Sequence, residues 1–239
     1  MLHNIITPEN VSSFAYQNGD LIQGPARGIV LEFHGLGYCA MMEEPGAFPR
    51  LLAQHRILYA FPYYGPWSWM NDVAVRTVDQ IVSALQARYG LPADAPVVST
   101  GGSMGGLSAL IYCRYAARTP DACAANCPVC DLPYHFTERP DLPRTLYQAF
   151  GHYTGSLEEA MRSASPLHQA ANLPDIPYYI VHGDGDEAVN KARHSDRLAA
   201  ALQPAHRVTY DQVPGMAHCA LEGAALARYQ DFILSCFPG

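Results

Sequence analysis

A serine hydroxyl attacks at neutral pH only when a base takes its proton and a carboxylate holds that base in the right tautomer. Ser103, Asp186 and His218 have the residue types and the chain order for that chemistry. Ser103 sits at the centre of Gly101-Gly102-Ser103-Met104-Gly105. The β-prone run Pro96 to Thr100 precedes it and the helix-like run Leu107 to Tyr112 follows. A Gly-x-Ser-x-Gly between strand and helix is the nucleophile-elbow pattern. The flanking glycines let strand and helix approach closely while the serine takes a strained backbone conformation. That turn lifts the hydroxyl out of a sheet and sets it at a helix N-terminus, where backbone N–H groups meet a developing negative charge.

The elements that must position these residues are legible in the hydrophobic pattern. Strands are expected at Gly28 to Phe33, Arg56 to Phe61, Pro96 to Thr100, Ala122 to Val129, Ile176 to Val181 and His206 to Val213. Val75, Val78, Ile81, Val82, Leu85 and Tyr89 recur at helical spacing, with Asn71 or Asp72 as N-cap and Gly90 as stop. Further helices are expected from the elbow to about Arg118, over Lys191 to Leu202, and over Ala220 to Phe237. This alternation predicts a mostly parallel sheet with helices on both faces, whose chemistry gathers at the carboxyl ends of the strands. His34-Gly35-Leu36, Ser103, Asp186 and His218 all fall just beyond such ends. Asp131 to Ser165 is rich in proline and aromatic residues and reads as a short insertion capping the strand ends, within a single domain spanning 1–239.

The bulk numbers bound the class. A net charge of -7 argues against nucleic-acid or anionic-membrane binding, and no apolar run reaches the roughly 20 residues that cross a bilayer. Met1 to Glu9 lacks the basic start and apolar centre of a signal peptide. Seven cysteines, an odd number, suit reduced thiols in a cytoplasm. Cys127-Pro128-Val129-Cys130 is formally C-x-x-C, but no second pair with zinc-ligand spacing accompanies it. These cysteines read as small apolar residues around a buried strand, and no metal is expected.

With His34-Gly35 after the early strand, Gly-x-Ser-x-Gly around Ser103, Ser165-Pro166, His182-Gly183-x-x-Asp186-x-x-Val189 and the late His218, the chain resembles an α/β-hydrolase. Within that fold it is similar to small single-domain relatives of the prolyl-oligopeptidase group, some of them esterases. The resemblance runs from about Gly28 to the C-terminus. It implies that the acid is Asp186, not its neighbour Asp184, and that His182 is structural. It also implies an oxyanion hole built from the backbone N–H groups of Leu36 and Met104, with Gly37 the competitor to Leu36.

Tyr63 to Met70 contains both tryptophans, and aromatic rings at a catalytic mouth bind acyl groups, phenolic rings or sugar faces. Trp67, Trp69, Tyr38 and Tyr134 are the substrate-binding candidates, set against the reading that they anchor loops. Glu43-Glu44 could receive a substrate amine but reads as an exposed, solvated pair. Relatives that use such a pair present it from a separate domain, and the chain carries no large N-terminal propeller. The expectation is therefore a serine carboxylic-ester hydrolase acting on a small-molecule ester without cofactor. A peptidase or amidase using the same residues is the alternative, and a non-catalytic binding protein on the same fold the third reading.

Overall fold

A computed structural model describes residues 6–40 and 42–237, so the first residues of the N-terminal segment read above lie outside the described part. Seven strands form one sheet: β1 (Ala15–Gln17), β2 (Ile29–Phe33), β3 (Leu58–Pro62), β4 (Val97–Gly102), β5 (Ala122–Asn126), β6 (Tyr178–Gly183) and β7 (Val208–Val213). Their order is β1-β3-β2-β4-β5-β6-β7. Only the β1–β3 edge pair is antiparallel; the remaining pairs are parallel. The helices are α1 (Ala47–Gln54), α2 (Asp72–Tyr89), α3 (Met104–Tyr115), α4 (Leu132–His135), α5 (Leu142–Phe150), α6 (Leu157–Ser163), α7 (Ser195–Leu202) and α8 (Gly223–Ser235).

The inner strands are buried on both faces, as β3 and β5 are throughout, and this is why they read as continuous apolar runs. Two core clusters lie on opposite sides of the sheet. One holds Leu31, Val78, Leu107 and Leu110; the other holds Val30, Tyr59, Val98 and Ile233. Helix α3 runs through the first, buried from Met104 to Cys113, so it lacks a polar face. The α2 boundaries follow from its caps: Asn71 Oδ1 accepts from the Ala74 N–H at 3.0 Å, and Gly90 takes the left-handed conformation at φ 62°.

The sheet order reverses direction between β2 and β4. Such a switch point opens a crevice at the carboxyl ends of the two strands. Both the His34-Gly35-Leu36 loop and Ser103 leave the sheet there. The segment expected to cap the strand ends contributes α4, α5 and α6, placed between β5 and β6. It is tied to the β3–α2 loop by Trp69 Nε1, which donates to Thr145 Oγ1 at 3.1 Å, and by Asn71 Nδ2, which donates to the Ala149 carbonyl at 2.9 Å.

Several boundaries differ from the expected ones. Strand β5 ends at Asn126 and not Val129, because Cys127 adopts φ 44° and turns the chain out of the sheet. Helix α7 starts at Ser195; Asn190 Oδ1 instead caps a separate turn by accepting from the Arg193 N–H at 3.2 Å. Helices α3 and α8 are each shorter than expected, and α1 and β1 were not anticipated. No described helix is long and apolar enough to cross a membrane.

Candidate active site

Ser103 stands between β4 and α3 at φ 59° and ψ -122°, a conformation costing a non-glycine residue on the order of 1–3 kcal/mol. The tightness of the turn explains its glycines. A Cβ on Gly105 would lie 2.0 Å from the Phe33 carbonyl oxygen, and one on Gly101 would lie 2.6 Å from the Gly105 backbone. The Ser103 N–H donates to the Asn126 carbonyl at 3.0 Å, which fixes the elbow to the end of β5.

Asp186 lies in the loop after β6, and its side chain is fully enclosed. Oδ1 accepts from the N–H groups of Ala188 and Val189 at 2.8 and 2.9 Å. Oδ2 accepts from His218 Nδ1 at 2.7 Å and from His182 Nε2 at 3.1 Å. Burial works against the carboxylate, but the His182 and His218 hydrogen bonds outweigh it and hold the acid well below the usual range. His182 Nε2 also faces the Val189 carbonyl at 3.2 Å, so that nitrogen carries the proton. Its Nδ1 then accepts from the Ser195 hydroxyl at 2.6 Å. His182 is thus buried behind the acid as a fixed donor. Asp184, the other candidate acid, accepts from the Gly215 N–H and ties the acid loop to the loop that carries His218.

His218 follows β7, in a loop anchored where Asn126 Nδ2 donates to the Cys219 carbonyl at 3.3 Å. Because Asp186 takes the Nδ1 proton, the neutral ring presents an Nε2 lone pair. Burial disfavours the imidazolium, yet Asp186 and the Cys127 thiolate outweigh that and raise His218 to about 9. Among the described residues no hydrogen bond joins Ser103 Oγ to His218 Nε2, which instead faces Cys219 Sγ at 3.7 Å. Serine–histidine contacts of this kind commonly tighten only around bound substrate.

Ser103 and His218 share the wall of one cavity of about 530 Å³ with His34, Leu36, Tyr38, Phe61, Trp69 and His135. The Gly37 N–H donates to the Pro66 carbonyl at 2.9 Å and is therefore spent. The N–H groups of Leu36 and Met104 have no acceptor among the described residues, and Met104 opens α3 with the positive end of its dipole. The loop carrying Leu36 is held by the His34 ring, which stacks on Tyr64 at 4.2 Å and faces Tyr38 at 5.7 Å. The sequence reading did not single out this stack; Tyr38 lies near His34 in sequence, but Tyr64 comes from the segment after β3 and meets it only in the fold.

Of the aromatic candidates, Tyr38 and Trp69 line this cavity. Trp69 is fully buried, so it also serves as an anchor. Trp67 lies outside the cavity, its ring covered by the Arg144 guanidinium at 5.1 Å. Tyr134 lines a neighbouring cavity of about 760 Å³ on the far side of Asp186, and Arg193 sits over its ring at 4.3 Å. Glu43 and Glu44 are exposed and belong to neither cavity. The sequence reading also missed Cys219 and the placement of Cys127 against it. Adjacency to His218 was the signal for Cys219, and no local signal existed for Cys127.

Comparison with solved structures finds the same fold at low identity. A Mycobacterium tuberculosis puromycin-hydrolyzing peptidase aligns with a TM-score of 0.73 at 19% identity, covering 90% of this chain and 34% of that one. A truncated carbohydrate esterase from gut microbiota aligns at 0.69 and 15% identity, covering 90% and 87%. Esterase B from Lactobacillus rhamnosis gives 0.69 and 14%, covering 90% and 76%. The chain spans about a third of the length of the puromycin hydrolases it matches. No curated protein sequence gives a significant match. The sequence profile of the prolyl oligopeptidase family matches residues 68–237, which include Ser103, Asp186 and His218. This α/β-hydrolase chain belongs to the prolyl oligopeptidase family.

Proposed function

We propose that the chain is a serine hydrolase that cleaves carboxylic esters through an acyl-enzyme. The observation that carries this reading is the enclosed Asp186 carboxylate, bonded to His218 Nδ1 at 2.7 Å, with the Nε2 face of that ring on the same cavity as Ser103. In this reading His218 takes the Ser103 proton as Oγ attacks the ester carbonyl. The tetrahedral oxyanion is met by the N–H groups of Leu36 and Met104, each such donor contributing on the order of 3 kcal/mol. The imidazolium, paired with Asp186, then protonates the departing alcohol. Water attacks the acyl-enzyme by the same proton route in reverse, with no metal or organic cofactor in either half. The acyl group packs against Tyr38, in a cavity whose wall the buried Trp69 anchors, while Trp67 and Tyr134 lie outside that cavity.

Family membership favours a second reading, in which the same residues cleave a peptide or amide bond. The esterase reading rests on the cavity, where Phe33, Leu36, Tyr38, Phe61 and Trp69 supply apolar and aromatic wall beside the charged Glu32 and Arg139, while the exposed Glu43-Glu44 pair lies elsewhere. Comparing p-nitrophenyl acetate and longer or aromatic acyl esters with aminoacyl anilides decides between them. Ester turnover that disappears in Ser103→Ala is expected. Anilide turnover without ester turnover overturns the esterase reading. A serine-directed fluorophosphonate should label the wild type and not Ser103→Ala; no labelling of the wild type would instead mean a binding protein on this fold.

A further inference from the structure

Among the described residues, three groups of histidine, cysteine and carboxylate side chains bring donor atoms within 4.8 Å of one another: His135, Glu138 and His194; Cys127, His182 and Asp186; and Cys127, His218 and Cys219. Proton placement separates them. His194 Nδ1 accepts two backbone N–H groups, from Cys130 at 2.9 Å and Asp131 at 3.2 Å, so Nε2 keeps its proton for Glu138 and has no lone pair for an ion. His182 Nε2 donates to the Val189 carbonyl and Asp186, and its Nδ1 is taken by Ser195, so it is equally closed. His218 is different. Its Nδ1 proton goes to Asp186, and its Nε2 faces Cys219 Sγ at 3.7 Å.

We propose that Cys127, Cys219 and His218 form a binding site for a thiophilic divalent cation such as Zn2+ or Cd2+, and that the ion silences the enzyme by occupying the Nε2 lone pair of His218. Zinc binds thiolate sulfur at about 2.3 Å and imidazole nitrogen at about 2.0 Å, so adjacent ligand atoms in a tetrahedral site stand roughly 3.5–3.8 Å apart. The 3.7 Å between His218 Nε2 and Cys219 Sγ already matches that edge. Asp186 supplies what a zinc-bound histidine ordinarily has, a carboxylate on its other nitrogen that fixes the ring. Cys127 is buried at the end of β5, whereas Cys219 and the side chain of His218 are partly exposed, and the latter two line the Ser103 cavity, which gives an ion its route in. Both cysteines adopt left-handed backbone conformations, φ 44° for Cys127 just past β5 and φ 56° for Cys219 in the loop between β7 and α8. Binding displaces to solvent the protons carried by the cysteine sulfurs and by His218 Nε2, and leaves one coordination position for water. No oxidation is involved.

The proposal takes His218 as the base assigned above, but its test reads binding apart from turnover. Reduced Ser103→Ala protein is titrated with Cd2+ while the ultraviolet thiolate–cadmium charge-transfer band is followed. One tight equivalent per chain is expected, displaced by Zn2+. Loss of one ligand should weaken it by more than about tenfold in Cys219→Ser and Cys127→Ala, whereas Cys39→Ser should leave it intact, since Cys39 is exposed and not one of the three clustered ligands. In protein carrying Ser103, Zn2+ should block fluorophosphonate labelling and a chelator should restore it. A Cd2+ band unchanged in the partly exposed Cys219→Ser variant overturns the site, as does Zn2+ that binds without slowing labelling. If wild type is not labelled even without metal, the hydrolase assignment fails, while the titration still decides the metal site.

Discussion

Replacing Asp186 by asparagine tests the reasoning about the site most severely, because the amide keeps the shape and changes only the pattern of donors. All four contacts to this side chain come from hydrogen-bond donors: two backbone N–H groups at 2.8 and 2.9 Å on Oδ1, and two imidazoles at 2.7 and 3.1 Å on Oδ2. Whichever way the amide is turned, its NH2 faces two of them. On the Oδ1 side, two backbone donors cannot reverse. On the Oδ2 side, His218 alone can adapt, by accepting at Nδ1 and moving its proton to Nε2. That is the wrong tautomer to take a proton from Ser103. Asp186→Asn is therefore expected to lower kcat for p-nitrophenyl acetate by about 10³ to 10⁴, equivalent to roughly 4–5 kcal/mol. Two charge-assisted hydrogen bonds are also lost or weakened, so unfolding free energy in urea should fall by about 3–5 kcal/mol. Asp184→Asn is the control; Asp184 accepts from the Gly215 N–H and does not contact either imidazole by a hydrogen bond among the described residues, and its variant should retain activity within about tenfold. An Asp186→Asn rate within tenfold of wild type would refute the assignment of the acid.

Three further outcomes follow from the same contacts. His218 is raised to about 9, and only its neutral form accepts a proton, so kcat/KM measured with chelator present should climb with pH along a limb near that value. Cys127→Ala removes one of the two groups that raise it, and the limb should move down; a wild-type limb at 6.5, or one that stays put in the variant, contradicts this. Gly105→Ala would place a methyl 2.0 Å from the Phe33 carbonyl oxygen, and denaturant unfolding should show a loss of about 3 kcal/mol or more, or no folded protein. Trp69→Ala should cost about 3–5 kcal/mol, because Trp69 is fully buried and donates to Thr145, whereas Trp67→Ala should cost under about 1 kcal/mol. Equal losses for the two tryptophans would mean that the cap is not fastened through Trp69.

The features visible in the sequence are those whose physics is local. The elbow shows because two close backbone approaches exclude a Cβ at Gly101 and Gly105. The long α2 shows because its cap residues and its buried face lie on one continuous segment. Strand β1 does not show: three residues pairing antiparallel along an edge carry no alternation long enough to detect. Helix α1 is hidden by Pro49, which reads as a breaker, although it sits in the first turn where a missing N–H costs little. The over-extension of β5 has a single cause, the left-handed turn at Cys127, which a run of small apolar residues does not announce.

What the cavity does with a substrate is set by chain segments that meet only in the folded protein. Leu36 and Met104 can be paired as donors because β2 and β4 are neighbours at the switch point, and Gly37 is removed from consideration by a carbonyl in a different loop, that of Pro66. The cysteines show the same logic most sharply. Read along the chain, Cys127 belongs with Cys130 in a C-x-x-C, and an apolar role follows. In the fold, Cys130 donates to the Pro128 carbonyl, and the sulfur facing Cys127 is that of Cys219, on the loop that presents His218. Cys127, placed just past β5, raises the proton affinity of His218, and Cys219 beside it completes the cluster on which the proposed ion site rests.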